Sequence, residues 1–201
     1  MREFFADPEG TREELLAATY RALTQHGYAE LSLQTIGTEF SKSTSLIYHH
    51  YESKDQLVVD CLDAMLDQLE ANIAAAPDDP HASIRRFLGM ITADPQSTEY
   101  QFMCALTEIR GHAPHDAAFQ AAFTRADRIL QKRLRVAIEA GVEQDIFAVE
   151  AIEETVSHLY TLLTGVMIRR TTTEDTLALG SLHAEIERLL GAEFPQVSPT
   201  A

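Results

Sequence analysis

Between Thr11 and Leu190 the large apolar residues recur every three or four positions, and each run ends at a proline, a glycine or a polar break. That spacing places them on one face of a helix and scatters them across both faces of a strand. No stretch alternates as a half-buried strand would, and no internal repeat or low-complexity run is present. The predicted fold class is therefore all-α. Thr11 to Gln25 reads as a first helix, with Leu16, Tyr20 and Leu23 as its stripe, Leu15 and Ala22 widening it, and Gly27 as a stop. Thr11-x-x-Glu14 has the form of a capping box. Ser32 is placed to cap a short second helix, 32–40, carrying Leu33, Ile36 and Phe40, and a third spans about 43–49. Ser53-x-x-Gln56 is a second capping box and opens a fourth helix through Leu57, Cys61, Met65 and Leu69 to about Ala75. The breaks after it leave five more helical segments, near 81–93, 97–110, 115–140, 149–170 and 174–191, about nine in all. Pro195 and Pro199 mark a tail, 195–201, that is expected to be disordered.

Composition removes several classes. No run approaches the roughly eighteen apolar residues of a membrane span, and MREFFADPEG lacks the apolar core of a signal peptide. Cys61 and Cys104 are too few and too isolated for a disulfide framework or a zinc site, so two free thiols in a reducing cytoplasm are expected. His112, His115 and Asp116 lack a further ligand at diagnostic spacing, and no metal or cofactor is predicted. With no HExxH, no carboxylate–histidine cluster at metal spacing and no glycine-rich phosphate loop, an enzyme is not expected. Charge is the unusual property: 31 acidic residues stand against 16 basic ones, only three of them lysine, for a net charge of −15. Such an excess maintains solubility in concentrated salt and points to a halophilic source. Residues 1–66 hold 5 basic and 11 acidic side chains, so charge alone opposes nucleic acid.

The stretch Ser41 to Lys54, SKSTSLIYHHYESK, reverses that local balance, with Lys42 and Lys54 against Glu52 alone. Two short helices joined by a tight turn and backed by a longer one form a helix-turn-helix, whose second helix lies in the major groove. The segment from His26 to Leu57 resembles the DNA-binding head of the tetracycline-repressor (TetR) family. The resemblance rests on His26-Gly27-Tyr28, on Ser32 before a short helix, on Ile47-Tyr48-His49-His50-Tyr51 and on Ser53-Lys54-Asp55-Gln56-Leu57. It covers about residues 11–66, and the chain length and helix count agree with it. It implies a head over residues 1–54 with the start of helix four to about 66, and an effector-binding and dimerisation body over 55–194. It also implies contacts to DNA from Ser32, Lys42, Ser43, Thr44, Ser45, Tyr48, His49 and Lys54, with Leu46, Ile47 and Tyr51 packing the head. Ser32 and Lys54 stand at helix starts, where free N–H groups already favour an anion. The turn departs from the pattern: Phe40-Ser41 replaces a small residue and a glycine, Lys42 an apolar residue, and Ser45 a frequent glycine. Serine at a positive φ costs energy, so a turn of different shape is expected.

In the body, Phe87, Met90, Ile91, Phe102, Met103, Leu106, Phe119, Phe123 and Leu130 read either as core or, by the resemblance, as walls of an apolar cavity with Tyr100, His112, His158 or Tyr160 as its polar anchor. Ile152, Val156, Leu159, Leu163, Val166 and Met167 stripe the eighth helix, and Leu182, Ile186 and Leu189 the ninth. The resemblance assigns these stripes to a four-helix dimer interface. The resulting reading is a homodimeric regulator, a repressor in preference to an activator, that leaves a palindromic operator on double-stranded DNA when a small apolar or amphipathic effector binds. A ligand-independent regulator or activator on the same scaffold is the alternative.

Overall fold

The computed structural model describes Phe5 and residues 8–71, 79–174 and 179–192. Among these residues it contains nine α-helices, one 3-10 turn and no strand. The helices are α1 (Thr11–His26), α2 (Leu33–Glu39), α3 (Ser45–His50), α4 (Lys54–Ala71), α5 (Pro80–Ile91), α6 (Thr98–His112), α7 (Ala117–Glu143), α8 (Ile152–Thr172) and α9 (Leu179–Leu190). The all-α expectation holds. The tail 195–201 and the side chain of Met90 lie outside the described residues. No helix among the described residues is long and apolar enough to cross a membrane.

The chain packs as two compact units. The first takes α1–α4, α6, the 3-10 turn Ala113–His115 and α7 up to Asp127. Leu16 and Leu23 of α1, Ile36 of α2, Ile47 of α3, Leu57 of α4 and Ile109 of α6 are all fully buried in one cluster. Each such side chain contributes roughly 1.5–3 kcal/mol on leaving water. Ala18 and Ala22, also fully buried, keep the α1 surface low where α2, α4 and α6 pack on it. Cys61 sits in this core, where burial pushes its thiol up to about 12, and neither it nor Cys104 is in a disulfide. Arg125 ties α7 to α4 through Asp63, Asp67 and Glu70 at 3.2, 2.6 and 3.1 Å.

The second unit takes α5, the rest of α7, α8 and α9. Asp79 caps α5, accepting from the Ala82 N–H at 2.8 Å, and Pro80 stands at its first turn. α7 ends where the Gly141 carbonyl accepts from both Ile146 and Phe147 N–H groups, with Asp145 left-handed at φ 56°. A Cβ on Gly141 would lie 2.0 Å from the Phe147 ring, so only glycine lets that buried ring fold back on the helix.

Val156, Leu159, Leu163 and Val166 of α8 and Leu182 and Ile186 of α9 are buried within the single chain. The stripe expected at an interface between copies therefore packs largely within one chain, since helical period shows that a stripe is covered, not which molecule covers it. Ile152, Met167 and Leu189 are half-buried. The open arc of α8 runs instead through Ser157, Thr161, Gly165 and Ile168, and Ile168 is one of the two exposed large hydrophobic residues among those described.

Candidate nucleic-acid interface

The helix-turn-helix starts from a complete capping box. Ser32 Oγ accepts from the Thr35 N–H at 3.0 Å, and Thr35 Oγ1 accepts from the Ser32 N–H at 2.8 Å. α2 then stops at Phe40, which is extended (φ −94°, ψ 126°) and drops its ring into the core. Ser41 is not left-handed, since Phe5 and Asp145 are the only non-glycine residues with positive φ among those described. Side chains shape the turn. Ser41 Oγ donates to Glu14 Oε2 at 3.1 Å, and Lys42 Nζ donates to Glu14 Oε1 at 2.9 Å and to Thr11 Oγ1 at 2.8 Å. The Lys42 ammonium also holds the Glu14 carboxyl below its ordinary range.

These contacts also replace the capping box read at Thr11 and Glu14. Thr11 is already the first helical residue, behind Gly10 at φ 100°, and its hydroxyl makes no cap. Glu13 reaches back instead to the Glu9 N–H at 2.7 Å. Gly37 has its own reason to be glycine: an added Cβ would meet the Thr44 methyl at 2.8 Å, so its absence lets α3 begin close against α2.

α3 is short, and one buried residue anchors it. Ile47 is fully buried, with Leu46 and Tyr51 half-buried around it. Tyr51 donates to Asp60 Oδ2 at 2.7 Å, and burial together with that carboxylate pushes its phenol up to about 12. Ser43, Ser45, Tyr48, His49 and His50 face outward. Tyr48 is 61% exposed, a large aromatic surface with no core to fill. The Ser43 and Ser45 hydroxyls lie 2.7 Å apart, and the His49 and His50 rings meet edge-on at 5.1 Å. Residues 40–51 contain no carboxylate. The face therefore offers hydroxyl, phenol and imidazole donors and acceptors without repelling an anion.

Lys54 opens α4 beside this face and is held by Tyr28. Its Nζ donates to the Tyr28 carbonyl at 2.8 Å and lies 4.2 Å from the ring centroid. The Tyr28 hydroxyl donates to Asp55 Oδ1 at 2.7 Å, and burial together with that carboxylate raises its pKa well above the usual phenol value. Tyr28 also meets the His112 ring at 4.9 Å and the Phe119 ring at 5.7 Å. The Tyr28 and Ala29 N–H groups both donate to Glu108 Oε2 of α6, at 2.7 and 2.9 Å. Gly27, at φ 71°, completes this link, for a Cβ there would stand 3.0 Å from Glu108 Oε1. The sequence marks His26-Gly27-Tyr28, but nothing in it marks Glu108 as the partner.

The residues expected to line one cavity fall in both units. Phe102, Phe119 and Phe123 belong to the first core, with Leu106 packed against it, and Met103 is buried. Phe102 stacks on Tyr20 at 5.0 Å, and Phe123 carries the Arg110 guanidinium at 4.5 Å. Phe87 and Ile91 are buried in the second unit, where Leu130 and Tyr160 are half-buried. Two surface depressions, one along Arg128, Lys132 and Arg135 and one along Thr24, Gln96 and Gln101, involve none of them.

A capped α2, a tight turn and an α3 anchored by Ile47 with an acid-free outer face make up a DNA-binding helix-turn-helix. The profile of bacterial regulatory proteins of the tetR family matches residues 15–61, and that of the BetI-type transcriptional repressor C-terminal region matches 80–195. The chain belongs to the tetR family and is a transcription regulator, not an enzyme. It is 24% identical over 176 residues to the HTH-type transcriptional repressor AcnR of Corynebacterium glutamicum, covering 87% of this chain and 89% of that protein. A TetR transcription regulator from Haloarcula marismortui superposes with a TM-score of 0.71 at 29% identity, over 92% of this chain and 98% of that one. A transcriptional regulator from Saccharomonospora viridis, solved with choline, shares the fold with a TM-score of 0.66 at 17% identity, over 90% and 95%.

Proposed function

We propose that the protein is a cytoplasmic homodimeric repressor that grips a palindromic operator through α3 and releases it when a small apolar or amphipathic molecule binds. The observation that carries this reading is the outer face of α3, where Ser45, Tyr48 and His49 stand exposed on a helix whose only fully buried residue is Ile47. In it, Ser43, Ser45, Tyr48 and His49 reach base edges and phosphates. Lys54 clamps a phosphate with the two ammonium N–H donors that Tyr28 leaves open. Ser32 and Thr44 act mainly through the backbone they shape, and Lys42 exchanges part of its bond to Glu14 for phosphate. Repression is supported by the similarity to the transcriptional repressor AcnR and to the C-terminal region of BetI-type repressors.

The small residues Ser157, Thr161 and Gly165, with Ile168 below them, suit close approach of a second copy along α8; an added Cβ at Gly165 meets nothing within 4 Å. A two-fold dimer of this kind spaces its recognition helices by ~34 Å, one turn of duplex. The acidic remainder of the surface suits concentrated salt, where counterion release contributes little to binding. A ligand-independent regulator is the second reading, favoured by the closely packed Phe102, Phe119 and Phe123. Selection of duplexes from a randomised library by the purified protein in molar salt tests the proposal. A two-fold symmetric site is expected, and failure to enrich any sequence contradicts it.

A further inference from the structure

Glu108 lies on α6, yet its carboxylate is fixed on the link between α1 and α2, about eighty residues away in sequence. One oxygen, Oε2, accepts from two successive backbone N–H groups, Tyr28 at 2.7 Å and Ala29 at 2.9 Å. Two adjacent N–H groups aimed at one point form a small anion-binding nest, and here a side chain of the same protein fills it. Gly27 makes this possible, because a Cβ there would press on the carboxylate at 3.0 Å. The same peptide segment carries the carbonyl that holds Lys54. Tyr28 oxygen accepts from Lys54 Nζ at 2.8 Å, and the Tyr28 ring lies under the ammonium at 4.2 Å. Its hydroxyl then binds Asp55, the next residue of α4, at 2.7 Å.

We infer that Glu108 is a positioning residue for DNA binding: by anchoring the backbone of Tyr28 and Ala29 it sets where the Lys54 ammonium stands. The inference rests on the reading of Lys54 as a phosphate clamp. Glu108 is exposed, so its effect is geometric rather than a large electrostatic stabilisation. Without it the Tyr28 and Ala29 N–H groups lose their acceptor, the turn is braced only by the Leu31 N–H on the Tyr28 carbonyl at 3.3 Å, and the acceptor of the lysine shifts although the Tyr28 ring stays buried. The ammonium then spends its time in solvent instead of at one phosphate position. His112, one turn further along α6, packs on the Tyr28 ring at 4.9 Å, so two residues of the same helix hold the segment.

Charge gives this inference a distinctive sign. Removing a carboxylate from a protein of net charge −15 lowers its repulsion for DNA, and by that effect alone Glu108→Ala would bind DNA more tightly. Positioning predicts the reverse. Glu108→Asp keeps the charge, shortens the reach by one methylene and serves where the alanine variant does not fold. The probe is the duplex most enriched by the wild-type full-length protein from a randomised library. The readout is the slope of log affinity against log salt, alongside thermal unfolding of each variant. Lys54→Ala is expected to lower that slope by about one. Glu108→Ala and Glu108→Asp are expected to lower it as much, with several-fold weaker binding, and to add nothing on top of Lys54→Ala. A folded Glu108 variant with an unchanged slope, or with losses additive to those of Lys54→Ala, overturns the inference. If Lys54→Ala itself leaves the slope unchanged, the clamp reading fails and takes the inference with it, and that one curve tells the two failures apart.

Discussion

The recognition helix and the frame that holds it use their polar groups in opposite ways. On α3 the polar side chains face outward and bond locally, as Ser45 does with the Ser43 hydroxyl just before the helix. In the frame the cations are bound by their own protein. Lys42 is held by Glu14 and Thr11, Lys54 by Tyr28, Arg12 by Asp60 and Arg21 by Glu39. On the proposed reading, the difference is how an acidic protein keeps a surface for DNA. It omits carboxylates from one short window and commits its few nearby cations to shaping that window.

Substitutions can break this division at either side. The largest effect is expected from Ile47→Ala, which hollows the anchor of α3 and should cost about 2–5 kcal/mol of stability in denaturant unfolding. Next comes Tyr48→Ala, which should leave stability within about 0.5 kcal/mol while weakening specific binding by roughly 1–3 kcal/mol. A large stability loss there would mean that Tyr48 belongs to the frame. Lys42→Ala should change stability by no more than about 1 kcal/mol, because its ion pair is exposed. Its salt slope should fall by less than that of Lys54→Ala, since Glu14 already neutralises part of the ammonium. The smallest effect concerns pH. The folded-state pKa of Tyr51, raised to about 12, lies above its unfolded value of about 10. Its contribution is therefore complete below pH 10 and lost as pH rises from there toward 12. Tyr51→Phe should flatten that part of a melting-temperature profile.

Local physics made much of this architecture legible. Helical period identified the nine helices of the described residues because each buries a stripe, and Ser32 identified the start of α2 because its cap lies three residues away. Ile47 as the buried anchor beside an exposed Tyr48 followed from the motif. What stayed hidden was set by distant partners. Thr11 and Glu14 matched a capping box, yet Lys42, some thirty residues on, takes both side chains. Serine in place of glycine at position 41 predicts a turn of different shape, but nothing local shows that an extended Phe40 supplies it by avoiding the left-handed region. Glu108 carries no local signal, as its acceptors' partners lie some eighty residues away. The stripes of α8 and α9 showed burial without revealing that most of it occurs inside one subunit.

The central claim is that sequence-specific binding resides on the outer face of α3. The direct measurement is the ratio of affinities for the selected duplex and for a scrambled duplex of the same composition, in wild type and in Tyr48→Ala, at one molar-range salt concentration. The account predicts a large ratio for wild type that collapses toward one in a variant of unchanged stability. An equal ratio in both proteins would place recognition elsewhere on the molecule and contradict the account.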